Sequence, residues 1–184
     1  MPQDFVYFDL ETQRSANDVG GWSNKADMGM SVGVTFSSAR GKYTIYDESN
    51  VQDLIQELLA ADLVVGFNHV SFDYGVLEGY TVLNLAEQTR NLDLMLDLEE
   101  QLEHRPKLEA VASASLGAGK TAVGTDAIKW WREGRILDIA EYCCFDVKVT
   151  KLVHEYGANH GFVKYTNRFK QEEDVPVIWK LPGS

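Results

Sequence analysis

Three extended apolar runs arrive before the first helical pattern, and that order leaves the chain few ways to fold. Residues 4–9, DFVYFD, read as a short buried strand rich in aromatic side chains. MSVGVTFSS (30–38) and KYTIYD (42–47) follow as two more, separated only by Ala39, Arg40 and Gly41, a connection suited to an antiparallel hairpin. NVQDLIQELLAAD then places Val51, Leu54, Ile55, Leu58 and Leu59 at helical spacing behind Asn50 as the expected cap, and DLVVGFN returns to strand. A helix between the third and fourth strands acts as a crossover. The β-β-β-α-β order therefore predicts an α/β fold with a mixed sheet, three antiparallel strands first and parallel additions after, flanked by helices.

From Ser71 onward the pattern is largely helical: SFDYGVLEGY, NLDLMLDLEEQLEH after a short strand, KLEAVASASLG, TDAIKWWREG, and a long helix over 135–157 ending at Gly157. A length of 184 residues suits one domain, expected over 1–160, with 161–184 as a C-terminal extension that is a strand, a hairpin or a partner-contacting tail. No stretch approaches the roughly 18 apolar residues of a membrane span, and the start MPQDFVYFDLET lacks a basic segment followed by an apolar one. A cytoplasmic protein without membrane contact is expected. Cys143 and Cys144 are adjacent in a helical pattern, where a bridge between them would be strained, so both are expected as small reduced side chains.

The chemistry concentrates in acids. Asp9 and Glu11 are two apart at the end of the first strand, hence on one face, where they repel unless a cation or proton intervenes. Taken alone the pair is equally a solvated strand end. Asp73 follows Asn68-His69-Val70-Ser71-Phe72 where the fourth strand runs into a helix, a loop that can return it beside the first strand; alone, it is equally a first-turn acid favoured by the helix dipole. Tyr142 and Asp146 are four apart and share a helix face. Four carboxylates from three elements would suit a two-cation phosphoryl-transfer site, because Mg²⁺ and Mn²⁺ prefer oxygen ligands.

Phe8-Asp9-Leu10-Glu11-Thr12, then Asn68 with Phe72-Asp73, then Tyr142 and Asp146 in a Tyr-x-x-x-Asp pattern, resemble the three motifs of the DEDDy 3′-to-5′ exonucleases. These include the proofreading domain of family-B DNA polymerases and, more distantly, ribonuclease D. The resemblance covers residues 5 to about 155 and implies a ribonuclease-H-like fold. It implies that Asp9, Glu11, Asp73 and Asp146 hold two divalent cations, Mg²⁺ or Mn²⁺, and that Tyr142 orients the attacking water. The implied reaction releases nucleoside 5′-monophosphates from single-stranded 3′ ends, DNA favoured over RNA. An RNA-trimming nuclease, a structure-selective endonuclease and a catalytically silent module that recruits a polymerase, helicase or repair protein are the competing readings.

A net charge of −11 disfavours broad electrostatic coating of nucleic acid but leaves contact with a chain end open. Lys120, Lys129, Arg132 and Arg135 are the cations expected near phosphates, with Trp130 as a base-stacking candidate beside Trp131. Leu10, Thr12, Asn68 and Phe72 complete the expected substrate contacts, Leu10 and Phe72 as wedges or cradles for terminal bases. Leu116 to Thr121 imitates a phosphate-binding loop, but Ala114 stands where that pattern needs Gly and a helical segment precedes it; a helix end at Gly117 is the better account. The four histidines share no metal-ligand spacing, and position 141 is Glu, so Tyr142 rather than a histidine completes the last motif. Asp93 and Asp97 are expected as solvated helix positions, with Asp93 as a candidate support for the site.

Overall fold

Alternation along the first strand decides the architecture. In a computed structural model that describes residues 3–117 and 125–183, β1 (Phe5–Thr12) turns Phe5 and Tyr7 to one side of the sheet and Val6, Phe8 and Leu10 to the other. All five are buried, so β1 is covered on both faces and reads as a continuous apolar run. It pairs antiparallel with β2 (Met30–Ser37), which pairs antiparallel with β3 (Lys42–Tyr46). On its other edge β1 pairs parallel with β4 (Leu63–Gly66), and β4 pairs parallel with β5 (Asn91–Asp93). The sheet order is β3-β2-β1-β4-β5, the mixed topology that the strand order predicts.

One face packs on α1 (Val51–Ala60), α2 (Asp73–Leu77) and α3 (Leu85–Gln88), through Leu54, Ile55, Leu58 and Leu77 against Val6, Phe8 and Val64. The other packs on α4 (Leu94–Leu102), α5 (Leu108–Leu116), α6 (Thr125–Arg132) and the 25-residue α7 (Ile136–His160), through Leu98, Val111, Ile139 and Val147 against Tyr7, Val34 and Val65. Asn50 makes no side-chain cap for α1; the capping box belongs to the short 3-10 turn before it, where Asp47 accepts from the Ser49 N–H and Asn50 accepts from the Asp47 N–H. Gly117 ends α5 in the left-handed conformation, φ 66°.

Two expectations at the far end are corrected. The long helix runs through Gly157 and stops at Gly161, whose φ of 77° supplies the left-handed C-terminal turn. Gly157 has a packing role instead, since a Cβ there would stand 2.4 Å from Trp179 Cε3. Beyond it, β6 (Phe162–Thr166) and β7 (Glu172–Pro176) form an antiparallel hairpin. Val163, Val175, Val177 and Trp179 carry this segment into the α4–α7 core, and the Trp179 indole donates to Asp97 at 2.7 Å. Asp97 is thereby a partner to the C-terminal segment. Among the described residues no helix is long and apolar enough to cross a membrane.

Candidate active site

The parity that buries Tyr7 points Asp9 and Glu11 to the same side, toward α7. Register places β4 beside only the first half of β1, ending at Tyr7↔Val65, so the last residues of β1 have no parallel neighbour. The loop from Phe67 to Phe72 crosses that gap and delivers Asp73 at the first turn of α2, where its Oδ1 accepts the Leu10 N–H at 2.9 Å. From the opposite side α7 brings Asp146, and carboxylate oxygens of Asp9, Glu11 and Asp146 lie within 4.8 Å of one another. Asp73 stands outside that close group, buried at 2% exposure. The cluster sits at the carboxyl ends of β1 and β4, where open α/β sheets present their ligand sites.

Crowded acids, Asp73 buried and Asp9, Glu11 and Asp146 half-buried, resist ionisation. Burial, then the charges of Asp73, Asp146 and Glu11, hold the Asp9 carboxyl well above the ordinary range, while the Cys143 thiol against it acts in the opposite direction. Burial, then Asp146 and Asp73, do the same to Glu11. Burial pushes Asp73 up to about 8 against the lowering effect of the Leu10 N–H. Asp146 is pushed up to about 6 by burial, with the hydrogen bond from the Tyr142 hydroxyl opposing. Tyr142 itself is raised by burial and by the Asp146 charge, so its hydroxyl keeps its proton. Among the described residues no Lys or Arg ion pair reaches any of the four acids. Three mutually close, uncompensated carboxylates are a hard-oxygen donor set, which fits Mg²⁺ or Mn²⁺.

The loop carrying Asp73 is pinned from below. Asp93, at the end of β5, accepts the backbone N–H groups of Asn68 (2.7 Å) and Val70 (3.0 Å) in the loop and of Met95 (3.1 Å) and Leu96 (3.3 Å) in α4. It is buried, not a solvated helix acid. These bonds hold Asn68 at φ 69°, a left-handed conformation, while its side chain accepts from the Ser71 hydroxyl at 2.6 Å. His69 fills the space under the loop, fully buried and neutral, because burial lowers its pKa. Its Nε2 is 3.1 Å from Asn91 Oδ1.

The expected substrate contacts divide. The Leu10 side chain is sunk in the core on the face away from the acids, so it cannot act as a wedge; only its N–H serves the site. Thr12 is buried and donates to the Arg14 carbonyl. Glu11, Thr12 and Phe72 line a cavity of about 500 Å³ together with Trp22 and Ile128. Trp22 is exposed and meets Phe72 edge-on, ring centroids 6.1 Å apart. Trp130 meets Tyr142 edge-on at 6.1 Å and lies under the Arg135 guanidinium, which keeps it at the border of the site. Arg132 is paired with Asp18 at 2.9 Å, Arg135 with Asp138 at 2.9 Å and Lys129 with Glu133 at 3.9 Å. Lys120 lies outside the described residues. Sequence reasoning missed Trp22, which nothing in the composition of the β1–β2 connection marked; Cys143 is the small, free, buried side chain that its helical setting predicts. Asp93 carried a usable signal, an acid immediately before an apolar helical run, the signature of an N-cap.

Comparison with known proteins agrees with this architecture. The RNase_H superfamily profile matches residues 6–157. Among solved structures, the family B DNA polymerase from the hyperthermophilic archaeon Pyrobaculum calidifontis superposes with a TM-score of 0.62 at 16% identity, over 85% of the present chain and 25% of the polymerase. At that identity the likeness is one of fold. No curated protein matches the sequence. Because the matched span takes in β1 through most of α7, and with them every acid of the cluster, the chain belongs to the RNase_H superfamily.

Proposed function

We propose that the protein is a metal-dependent 3′-to-5′ exonuclease that hydrolyses terminal phosphodiesters of single-stranded nucleic acid, DNA favoured, and releases nucleoside 5′-monophosphates. The observation that carries the reading is the convergence of Asp9, Glu11 and Asp146 within 4.8 Å, with Tyr142 one helical turn away and Asp73 held at Leu10. The four acids would hold two divalent cations, Mg²⁺ or Mn²⁺. When bound, these would supply an attacking water of lowered pKa and stabilise the leaving oxygen.

The chain's own residues do the rest. Asp93 and Leu10 fix Asp73, so that carboxylate is set before substrate arrives. Tyr142 keeps its proton and offers a fixed hydroxyl for orienting a water near Asp146. The cavity beside Glu11, with Phe72 and Trp22 on its wall, accepts the terminal nucleotide. A chain end asks for few phosphate contacts, which is compatible with a net charge of −11.

Linear and circular single strands of the same DNA sequence, beside a linear RNA of matching sequence, test the reading. Degradation of the linear DNA with the circle intact is expected. Cleavage of the circle would overturn the exonuclease assignment, and faster loss of the RNA would overturn the preference for DNA.

A further inference from the structure

Among the described residues, Asp9 is the one acid of the close group with a neighbouring side-chain donor on a different element. The Cys143 Sγ, on α7, lies 3.4 Å from the Asp9 carbonyl oxygen and 3.5 Å from Asp9 Oδ2. Cys143 is fully buried, so water does not reach this side of the carboxylate. The position follows from the helix itself: Cys143 is one residue after Tyr142 and three before Asp146, so all three ride the same stretch of α7 against the end of β1. Cys144, next along the chain, is half-buried and packs against the α4–α7 core.

We propose that Cys143 is a positioning residue, whose thiol hydrogen bond holds the Asp9 carboxylate in its cation-binding orientation. The inference rests on the reading of Asp9 as a ligand to a divalent cation. A thiol suits the task physically. It buries at little cost, as a small apolar side chain does. As a weak donor it restrains the carboxylate without neutralising the charge a cation needs, whereas a Lys or Arg there would compete with the cation directly. Groups that hold metal ligands in this way are worth about 10- to 100-fold in metal affinity, and a thiol belongs at the lower end.

The test measures Mn²⁺ binding to the whole chain by calorimetry without nucleic acid, with melting temperature, kcat and KM recorded beside it. Cys143→Val keeps the packing and removes the donor; it is expected to weaken Mn²⁺ binding about tenfold and to lower kcat with KM for an oligonucleotide within about twofold. Cys143→Ser keeps a donor and is expected to stay within about threefold of the unsubstituted chain, as is Cys144→Ser. Mn²⁺ binding by Cys143→Val at full strength would overturn the proposal. Equal losses in the Ser and Val variants, tracking their melting temperatures, would also overturn it and reduce Cys143 to packing. Asp9→Asn separates the underlying reading. If the unsubstituted chain binds no Mn²⁺, or Asp9→Asn binds it equally well, the cation reading itself fails and the inference falls with it.

Discussion

At the scale of single residues, the site depends on groups that never touch the space between the acids. Asp93 satisfies four backbone N–H groups, two in the loop and two in α4. Asp93→Ala leaves these buried and part-buried donors without that partner and is expected to cost about 2–4 kcal/mol, measured by urea unfolding, with a parallel loss of turnover. A loss under about 0.5 kcal/mol would show that the loop is held by other means. Tyr142 differs, because it is half-buried and its hydroxyl engages the Asp146 side chain rather than a backbone group. Tyr142→Phe is expected to lower kcat about 10- to 100-fold while Mn²⁺ affinity stays within about twofold. Equal losses in both would contradict the assigned division between water orientation and cation binding.

At the scale of elements, α7 joins two tasks. Its first half carries Tyr142 and Asp146 to β1, and its second half receives the C-terminal hairpin through Gly157, His154 and Val153. Gly157→Val would drive side-chain atoms into the Trp179 ring and is expected to cost about 2–4 kcal/mol of stability, read from thermal melts, and to alter Trp fluorescence. Unchanged stability would mean that the hairpin is only loosely seated. The same helix shows what was legible beforehand. The strand order and the helical face of α1 follow from periodicity, whereas local spacing alone left the acids of β1, α2 and α7 open and the resemblance to the DEDDy motifs singled them out; the structure brings Asp9, Glu11 and Asp146 together. The end of α7 was misread at Gly157 because the decisive contact, with Trp179, comes from a segment 22 residues on that periodicity does not connect to it. Leu10 was misread for a related reason: its parity along β1 sends it to the core opposite Asp9 and Glu11, and attention to motif adjacency alone overrides that alternation. Trp22 lies in a connection whose path depends on long-range pairing, with Gln13 and Arg14 N–H groups donating to Gly29 and Met28 carbonyls.

At the scale of the whole molecule, the acid cluster opposes folding. A carboxyl whose pKa is higher folded than unfolded binds its proton more tightly in the folded chain. Its contribution to stability therefore falls as pH rises from about 4 through the folded value, which is about 6 for Asp146 and about 8 for Asp73. His154 works in the other direction: buried as the neutral imidazole, with its pKa pushed down to about 4, it costs stability only as pH falls below about 6.5. Between about pH 6.5 and pH 8.5 the acids act alone. Without added metal the melting temperature is expected to fall across that interval, and saturating Mn²⁺ is expected to raise it more at the upper end, where protons no longer compete for the ligands. Equal Mn²⁺ shifts at both ends would contradict the coupling. Exonuclease action is tested most directly on a single-stranded DNA labelled at its 5′ end, incubated with Mg²⁺ or Mn²⁺ beside an EDTA control and Asp9→Ala protein. A ladder that shortens from the 3′ end, absent from both controls, is the predicted result; folded protein that leaves this DNA and a matching RNA intact with either ion would contradict it.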